Sequence, residues 1–188
     1  MSRLASLVYP ISEEPVWRLM LSDTDYQVPR CWRDWLADRG SLTARLLNLS
    51  GGDLSVVVVN QGLAFPKRSE QRALNLSGRR KALIREVILY GGGQPWVYAR
   101  SVLPLATLTG RLRKLRHLDN RPLGALLFKD PNMRREAVHI ARFKSNNLPD
   151  LLNNLGTAAW GRRSVFRLDN KPLLVSEVFL PTFKPYNG

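Results

Sequence analysis

Helix-spaced apolar residues near the start of the chain, followed by two antiparallel hairpins, predict a single domain that mixes helices with antiparallel sheet. The helical evidence is Trp32, Trp35 and Leu36, which fall on one stripe of residues 31–39 before Gly40 stops it. The first hairpin joins the extended runs 83–89 and 96–103 through Gly91-Gly92-Gly93-Gln94-Pro95. The second spans 160–181: residues 163–168 alternate, Asp169-Asn170 supplies a turn, and 173–180 is extended until Pro181 ends it. A length of 188 residues suffices for one core, and a hydrophobic fraction of 44% excludes a disordered chain.

Taken in order, residues 12–21 read as a short helix, with Ser12 as N-cap and Glu13 and Glu14 in its first turn. Ser41 opens another helix running to about Leu49. Gly51-Gly52 breaks the chain before 54–59, a β-branched run that suits a buried strand. Residues 61–81 read as a solvated connector, with a mobile lid as the alternative. Residues 105–118 are helical in part, a basic face over Leu112, Leu115 and Leu118. Pro122 suits a helix start ahead of a short apolar segment ending at Phe128. Residues 131–143 have mixed periodicity that leaves helix and strand both open, and 146–156 is an asparagine-rich loop with a short helix.

The net charge of +14 admits nucleic acid, an anionic membrane surface or a small anionic substrate, because steering is indifferent to what the anion is. The tryptophans and the basic runs are separated along the chain, which counts against a nucleic-acid surface. Cys31 is the sole cysteine, so no internal disulfide can form and a reducing, cytoplasmic setting fits. No apolar run is long enough to span a bilayer, and MSRLASLVYPISEEP lacks a signal-peptide core. The histidines, His117 and His139, have no metal-binding spacing, and no GxSxG elbow is present. The triple glycine lacks both the Lys-Ser/Thr ending and a following helix, which excludes a phosphate loop.

What remains is a pair of charges in apolar rows. Strand side chains alternate, so Arg85 shares a face with Leu83, Val87 and Leu89, and Glu177 shares one with Leu173, Val175 and Phe179. A charge on a buried face needs a partner. The two could form a structural ion bridge, or face opposite ends of a small polar ligand. An edge strand with Glu177 in water is the competing reading.

REVIL at 85–89, QPWVYARSVLP at 94–104, RPLGALLF at 121–128, WGRRS at 160–164 and KPLLVSEVFLP at 171–181 resemble the chorismate pyruvate-lyase family, which forms 4-hydroxybenzoate and pyruvate from chorismate for ubiquinone synthesis. The motifs occur in family order from about Leu83 onward. The resemblance implies an α+β fold with a central antiparallel sheet of about six strands flanked by helices. It also implies a buried ligand pocket under flaps, with no metal or cofactor, in a monomer without a nucleic-acid partner. A peripheral membrane contact stays open.

By the same resemblance, Arg85 binds a carboxylate and Glu177 a hydroxyl. The backbone amides of Leu123 and Leu42 also meet the carboxylate, Leu42 standing where the family usually has methionine. Arg100 matches a further arginine near the pocket, a candidate for the substrate's second carboxylate. Residues 61–81 and 146–156 depart from the family pattern. The alternatives are a non-catalytic effector-binding domain of the same fold and a basic nucleic-acid-binding protein.

Overall fold

In the computed structural model of the protein, described here for residues 14–21, 25–144 and 159–185, both hairpins lie side by side in one antiparallel sheet. In chain order the elements are β1 (Arg18–Leu19), α1 (Arg30–Ala37), α2 (Leu42–Leu49), β2 (Leu54–Ala64), α3 (Arg68–Ala73), β3 (Ala82–Gly91) and β4 (Gln94–Pro104). There follow a 3₁₀ helix (Gly110–Arg116), α4 (Leu123–Leu127), β5 (Arg134–Arg135), β6 (His139–Phe143), β7 (Ala159–Leu168) and β8 (Lys171–Phe179). The sheet has eight strands in the order β1-β6-β7-β8-β4-β3-β2, with β5 paired to β7. Six are long and two have only two residues, which accounts for the expected count of about six.

Turn chemistry sets both hairpins. Asp169 and Asn170 have φ of 50° and 62°, and Gly92 and Gly93 of 56° and 73°. Positive φ at both central residues matches the right-handed twist of the flanking strands, and asparagine, aspartate and glycine tolerate it best. The two hairpins then pair through β4 and β8, so Glu177 lies on a central strand rather than at an edge.

The register assigns each side chain to a face. Arg85 pairs with Ser101, Ser101 with Val175, and Val175 with Ser164, so all four point to the inner, helix-covered side. Glu177 pairs with Ala99 on one side and Arg162 on the other, also inward. The inner face carries two apolar clusters. One packs Trp35 and Leu36 of α1 and Leu42 and Leu46 of α2 against Leu89, Val97 and Phe179. The other packs Leu112, Leu115, Leu123 and Leu127 against Leu83, Leu103, Phe166 and Leu173. The tryptophans of α1 are thus core, as their shared stripe implies.

Three expectations need correction. Residues 14–21 form no helix: Arg18 and Leu19 pair with Ile140 and His139 as a short strand, so sheet pairing overrides the N-cap signal. The run at 54–59 is a strand that continues to Ala64, but it is the sheet's edge, and Val57, Val59 and Leu63 are exposed. The connector at 61–81 includes the end of that strand and α3. Residues 131–143 resolve into β5 and β6. The basic segment 105–118 behaves as expected, with Leu112, Leu115 and Leu118 buried and Arg111 reaching Asp169 in the hairpin turn at 2.7 Å. The stretch 146–156 lies outside the described residues.

The glycine of WGRRS has a steric cause. A Cβ at Gly161 would stand 2.5 Å from the Phe143 ring and 3.2 Å from the Glu177 carbonyl oxygen. Gly161→Ala should therefore cost about 1–3 kcal/mol through overpacking. Chemical denaturation measures this, and an unchanged midpoint would show that Phe143 yields freely.

Candidate active site

Between the two inner clusters the sheet changes character. Along β4 the inward residues run Val97, Ala99, Ser101 and Leu103: large at the ends and small in the middle. Along β7 they run Trp160, Arg162, Ser164 and Phe166, and along β8 Leu173, Val175, Glu177 and Phe179. The apolar ends close the core, and the polar middle forms a strip crossing the strands. Arg85 and Glu177 stand two strands apart on this strip, with the small Ala99 and Ser101 on the strand between them. Adjacent strands lie about 4.8 Å apart, so roughly 10 Å of sheet separates the two backbones.

Arg85 is 2% exposed. Its Nη1 donates to Gln61 Oε1 at 3.0 Å, and its Nη2 donates to the carbonyls of Asp119 at 2.7 Å and Arg121 at 3.2 Å. Burial pulls the guanidinium below its ordinary value, with the charge of Asp119 acting in the opposite sense. A guanidinium has five N–H donors, and these contacts engage three. All three acceptors are neutral, so Arg85 keeps its charge uncompensated by any ion pair among the described residues.

Gln61 owes its place to a β-bulge. The register of β2 against β3 shifts between Val58 and Asn60, leaving Val59 as an extra residue. The insertion switches the side to which later residues point. Asn60 consequently faces outward to Glu86, and Gln61 faces inward to Arg85.

Glu177 meets Arg162 directly across the strand pair, with Nε donating to Oε2 at 2.8 Å. The Arg162 side chain is 1% exposed and that of Glu177 19%. Arg162 also donates from Nη1 to the carbonyls of Trp35 at 2.7 Å and Asp38 at 2.8 Å. One guanidinium therefore orients the carboxylate and caps the carbonyl end of α1, where unpaired acceptors and the helix dipole both favour a cation.

Leu42 and Leu123 are the first residues of α2 and α4. Their N–H groups belong to the donors that a helix start leaves without an internal partner. The two starts abut, since a Cβ at Gly124 would lie 3.1 Å from Thr43 Oγ1. Both leucine side chains are buried in the flanking clusters.

Arg100 does not join this group. It pairs with Glu86 and Ser176 in register and points to the outer face. There its Nε donates to Glu70 at 2.7 Å and its Nη1 to Glu86 at 2.9 Å. Two carboxylates already compensate it, and Arg100 does not share a face with Arg85 and Glu177, contrary to the expectation that groups them. A cavity lies beside it, lined in part by Tyr98, Arg163 and Trp17, but its volume of about 40 Å³ has room for a water rather than a ring. Among the described residues, no three His, Cys, Asp or Glu side chains group to hold a metal. Among them, too, no helix is long and apolar enough to cross a membrane.

Sequence reasoning passed over Gln61, Arg162 and Arg135, all inward. Arg162 was within reach, because it shares alternate positions with Ser164, Phe166 and Leu168.

The chorismate lyase family model matches residues 15–187. This chain belongs to the chorismate lyase family. A probable chorismate pyruvate-lyase of Thiobacillus denitrificans is 44% identical over 161 residues, covering 83% of this chain and 86% of that one. One from Psychromonas ingrahamii is 36% identical over 179 residues, covering 93% and 94%. Among solved structures, the effector domain of PhnF from Mycobacterium smegmatis aligns with a TM-score of 0.56 at 16% identity, covering 79% of this chain and 95% of that one. The C-terminal domain of the histidine utilization repressor from Pseudomonas syringae aligns at 0.53 with 8% identity, covering 72% and 96%. These last two likenesses speak for the fold alone. Chorismate lyase family membership thus rests on sequence, and the sheet is a scaffold shared with regulator domains.

Two variants follow from the geometry. Arg162→Met would leave Glu177 without its cation and the end of α1 without its cap, and should cost about 3–5 kcal/mol. Arg162→Lys should recover little of that, because an ammonium lacks the planar fork that serves three acceptors. Denaturation midpoints test both, and a lysine variant as stable as wild type would rule out the fork's role. On the outer face, burial alone would raise the Glu86 carboxyl, but hydrogen bonds from Tyr98 and Asn60 and the charge of Arg100 outweigh it and lower it. A depressed folded value means stability present above the unfolded pKa and lost as pH falls through the folded one. Glu86→Gln should therefore flatten the acid limb of melting temperature against pH, and an unaltered limb would contradict this.

Proposed function

We propose that this protein is a chorismate pyruvate-lyase, a carbon–oxygen lyase that releases pyruvate from chorismate and leaves 4-hydroxybenzoate. The observation that carries the reading is the strip itself: Arg85 without an ion pair among the described residues and an oriented Glu177 on one inward face, with only small side chains on the strand between. Family membership supplies the substrate.

In this reading Arg85 and the amides of Leu42 and Leu123 hold the ring carboxylate. Glu177 accepts a hydrogen bond from the C4 hydroxyl, at the opposite pole of the ring. In the reaction the C3–O bond breaks and the C4 hydrogen leaves, so the ring becomes aromatic. The departing enolpyruvate gains one hydrogen at its methylene carbon and becomes pyruvate. Aromatisation drives the step, and the protein contributes orientation and preorganised charge. Arg162 holds the Glu177 carboxylate in one rotamer, so the C4–H bond is fixed relative to the enolpyruvyl arm. Binding beneath the helices also slows the exit of product, which makes release a candidate rate limit. Action as a cytoplasmic monomer completes the reading, and the lone Cys31 suits a reducing setting.

The direct test is incubation with chorismate, following 4-hydroxybenzoate by absorbance and pyruvate by coupled reduction. Equal amounts of both should appear; 3-hydroxybenzoate, or no turnover, would overturn the assignment. Arg85→Met should weaken 4-hydroxybenzoate binding by about 10- to 100-fold, the worth of hydrogen bonds to a charged group. Glu177→Gln should lower kcat on the order of 10²-fold. Wild-type kinetics in both variants would remove these roles.

A further inference from the structure

Beside Arg85 and Arg162, Arg135 also reaches the polar strip of the inner face. Arg135 lies on β5 opposite Phe166, and its guanidinium sits 5.2 Å from that ring's centre. Its Nε donates to Ser164 Oγ at 3.0 Å. Its Nη1 donates to the carbonyls of Asp38 and Gly40, each at 3.3 Å, in the link between α1 and α2. Arg135 thus runs from β5 along the strip to the pair formed by Arg162 and Glu177. Every acceptor it meets is neutral, and it forms no ion pair among the described residues. Its two Nη2 hydrogens have no protein acceptor among them either. Burial and the charge of Arg162 push its pKa down to about 10, against the opposing pull of Glu177, so it stays cationic at neutral pH.

We propose that Arg135 binds the enolpyruvyl carboxylate of chorismate, a role the sequence pointed towards Arg100. The inference rests on the lyase reading and extends it to the second half of the substrate. Chorismate is a dianion, and the strip holds two arginines without a carboxylate partner, one on each side of Glu177. Arg162 is already neutralised by Glu177, and Arg100 lies on the other face with Glu70 and Glu86. With the ring carboxylate at Arg85 and the C4 hydroxyl at Glu177, the C3 substituent next to C4 leaves the ring beside Glu177, where Arg135 lies. As the C3–O bond breaks, negative charge grows on the enolpyruvate, and a fixed cation there favours departure.

The test separates substrate from product, because 4-hydroxybenzoate lacks the enolpyruvyl arm. Arg135→Met should lower kcat/KM for chorismate by about 10- to 100-fold, while 4-hydroxybenzoate affinity, measured by calorimetry, stays within about twofold. Retained product affinity also shows that the variant folds. Arg135→Lys, which keeps the charge on a different reach, should give the same selective loss in milder form, and it decides the matter if the methionine variant does not fold. Parallel loss of substrate turnover and product affinity, or unchanged kcat/KM, overturns the proposal. A wild-type lyase whose Arg135 variants behave in either of those ways keeps the lyase reading and removes Arg135 alone. A wild-type protein that releases no 4-hydroxybenzoate from chorismate removes both.

Discussion

The interaction on which the site depends is the cross-strand pair of Arg162 and Glu177. A nearly buried guanidinium would be intolerable without compensation, and a carboxylate in an apolar row equally so. Each answers the other at 2.8 Å, and the spare donors of Arg162 close off the carbonyl end of α1. A strand, its neighbour and the covering helix are thereby pinned at one point. What would otherwise be two costly burials becomes the reference position from which the rest of the strip is arranged.

Both faces of the sheet follow the same plan. The inner face has two apolar clusters with Arg85, Ser101, Glu177, Arg162 and Ser164 between them. The outer face has two smaller clusters, one around Tyr98 and Phe143 and one around Ile84 and Val102, with Glu86, Arg100 and Ser176 between them. The difference lies in charge balance. On the outer face Arg100 is met by two carboxylates, whereas on the inner face Arg85 and Arg135 meet only carbonyl, amide and hydroxyl oxygens. Arg163, also on the outer face, meets the Ser69 hydroxyl at 3.1 Å and has no ion pair among the described residues, so the contrast is one between Arg100 and the inner pair. A net charge of +14 adds a field that draws anions towards such positions.

How much of this could be read in advance follows from the length and regularity of each element. The hairpins were legible because alternating runs bounded by turn residues mark paired strands, whereas the central position of the Glu177 strand came only with the pairing of β4 and β8. Leu42 and Leu123 could be proposed only through resemblance, since a backbone donor leaves no trace in side-chain chemistry. Arg100 misled because alternation assigns faces within one strand, while matching faces across strands requires register. Arg135 was hidden because β5 has two residues, too few to show a period. Gln61 was hidden by the extra residue Val59, which reverses the alternation inside β2.

That same extra residue also shapes the open edge of the sheet. β2 is the long open margin of the sheet, with Val57, Val59 and Leu63 exposed along it. A straight margin of that kind invites a neighbouring chain to add a strand and extend the sheet. The bulge interrupts the even run of free donors and acceptors and increases the local twist. Gln61, just beyond it, ties the margin to the Arg116 carbonyl at 3.1 Å. A single inserted residue thus both aims an amide at Arg85 and spoils the template for edge-to-edge growth, so deleting it would threaten colloidal behaviour together with the inner strip.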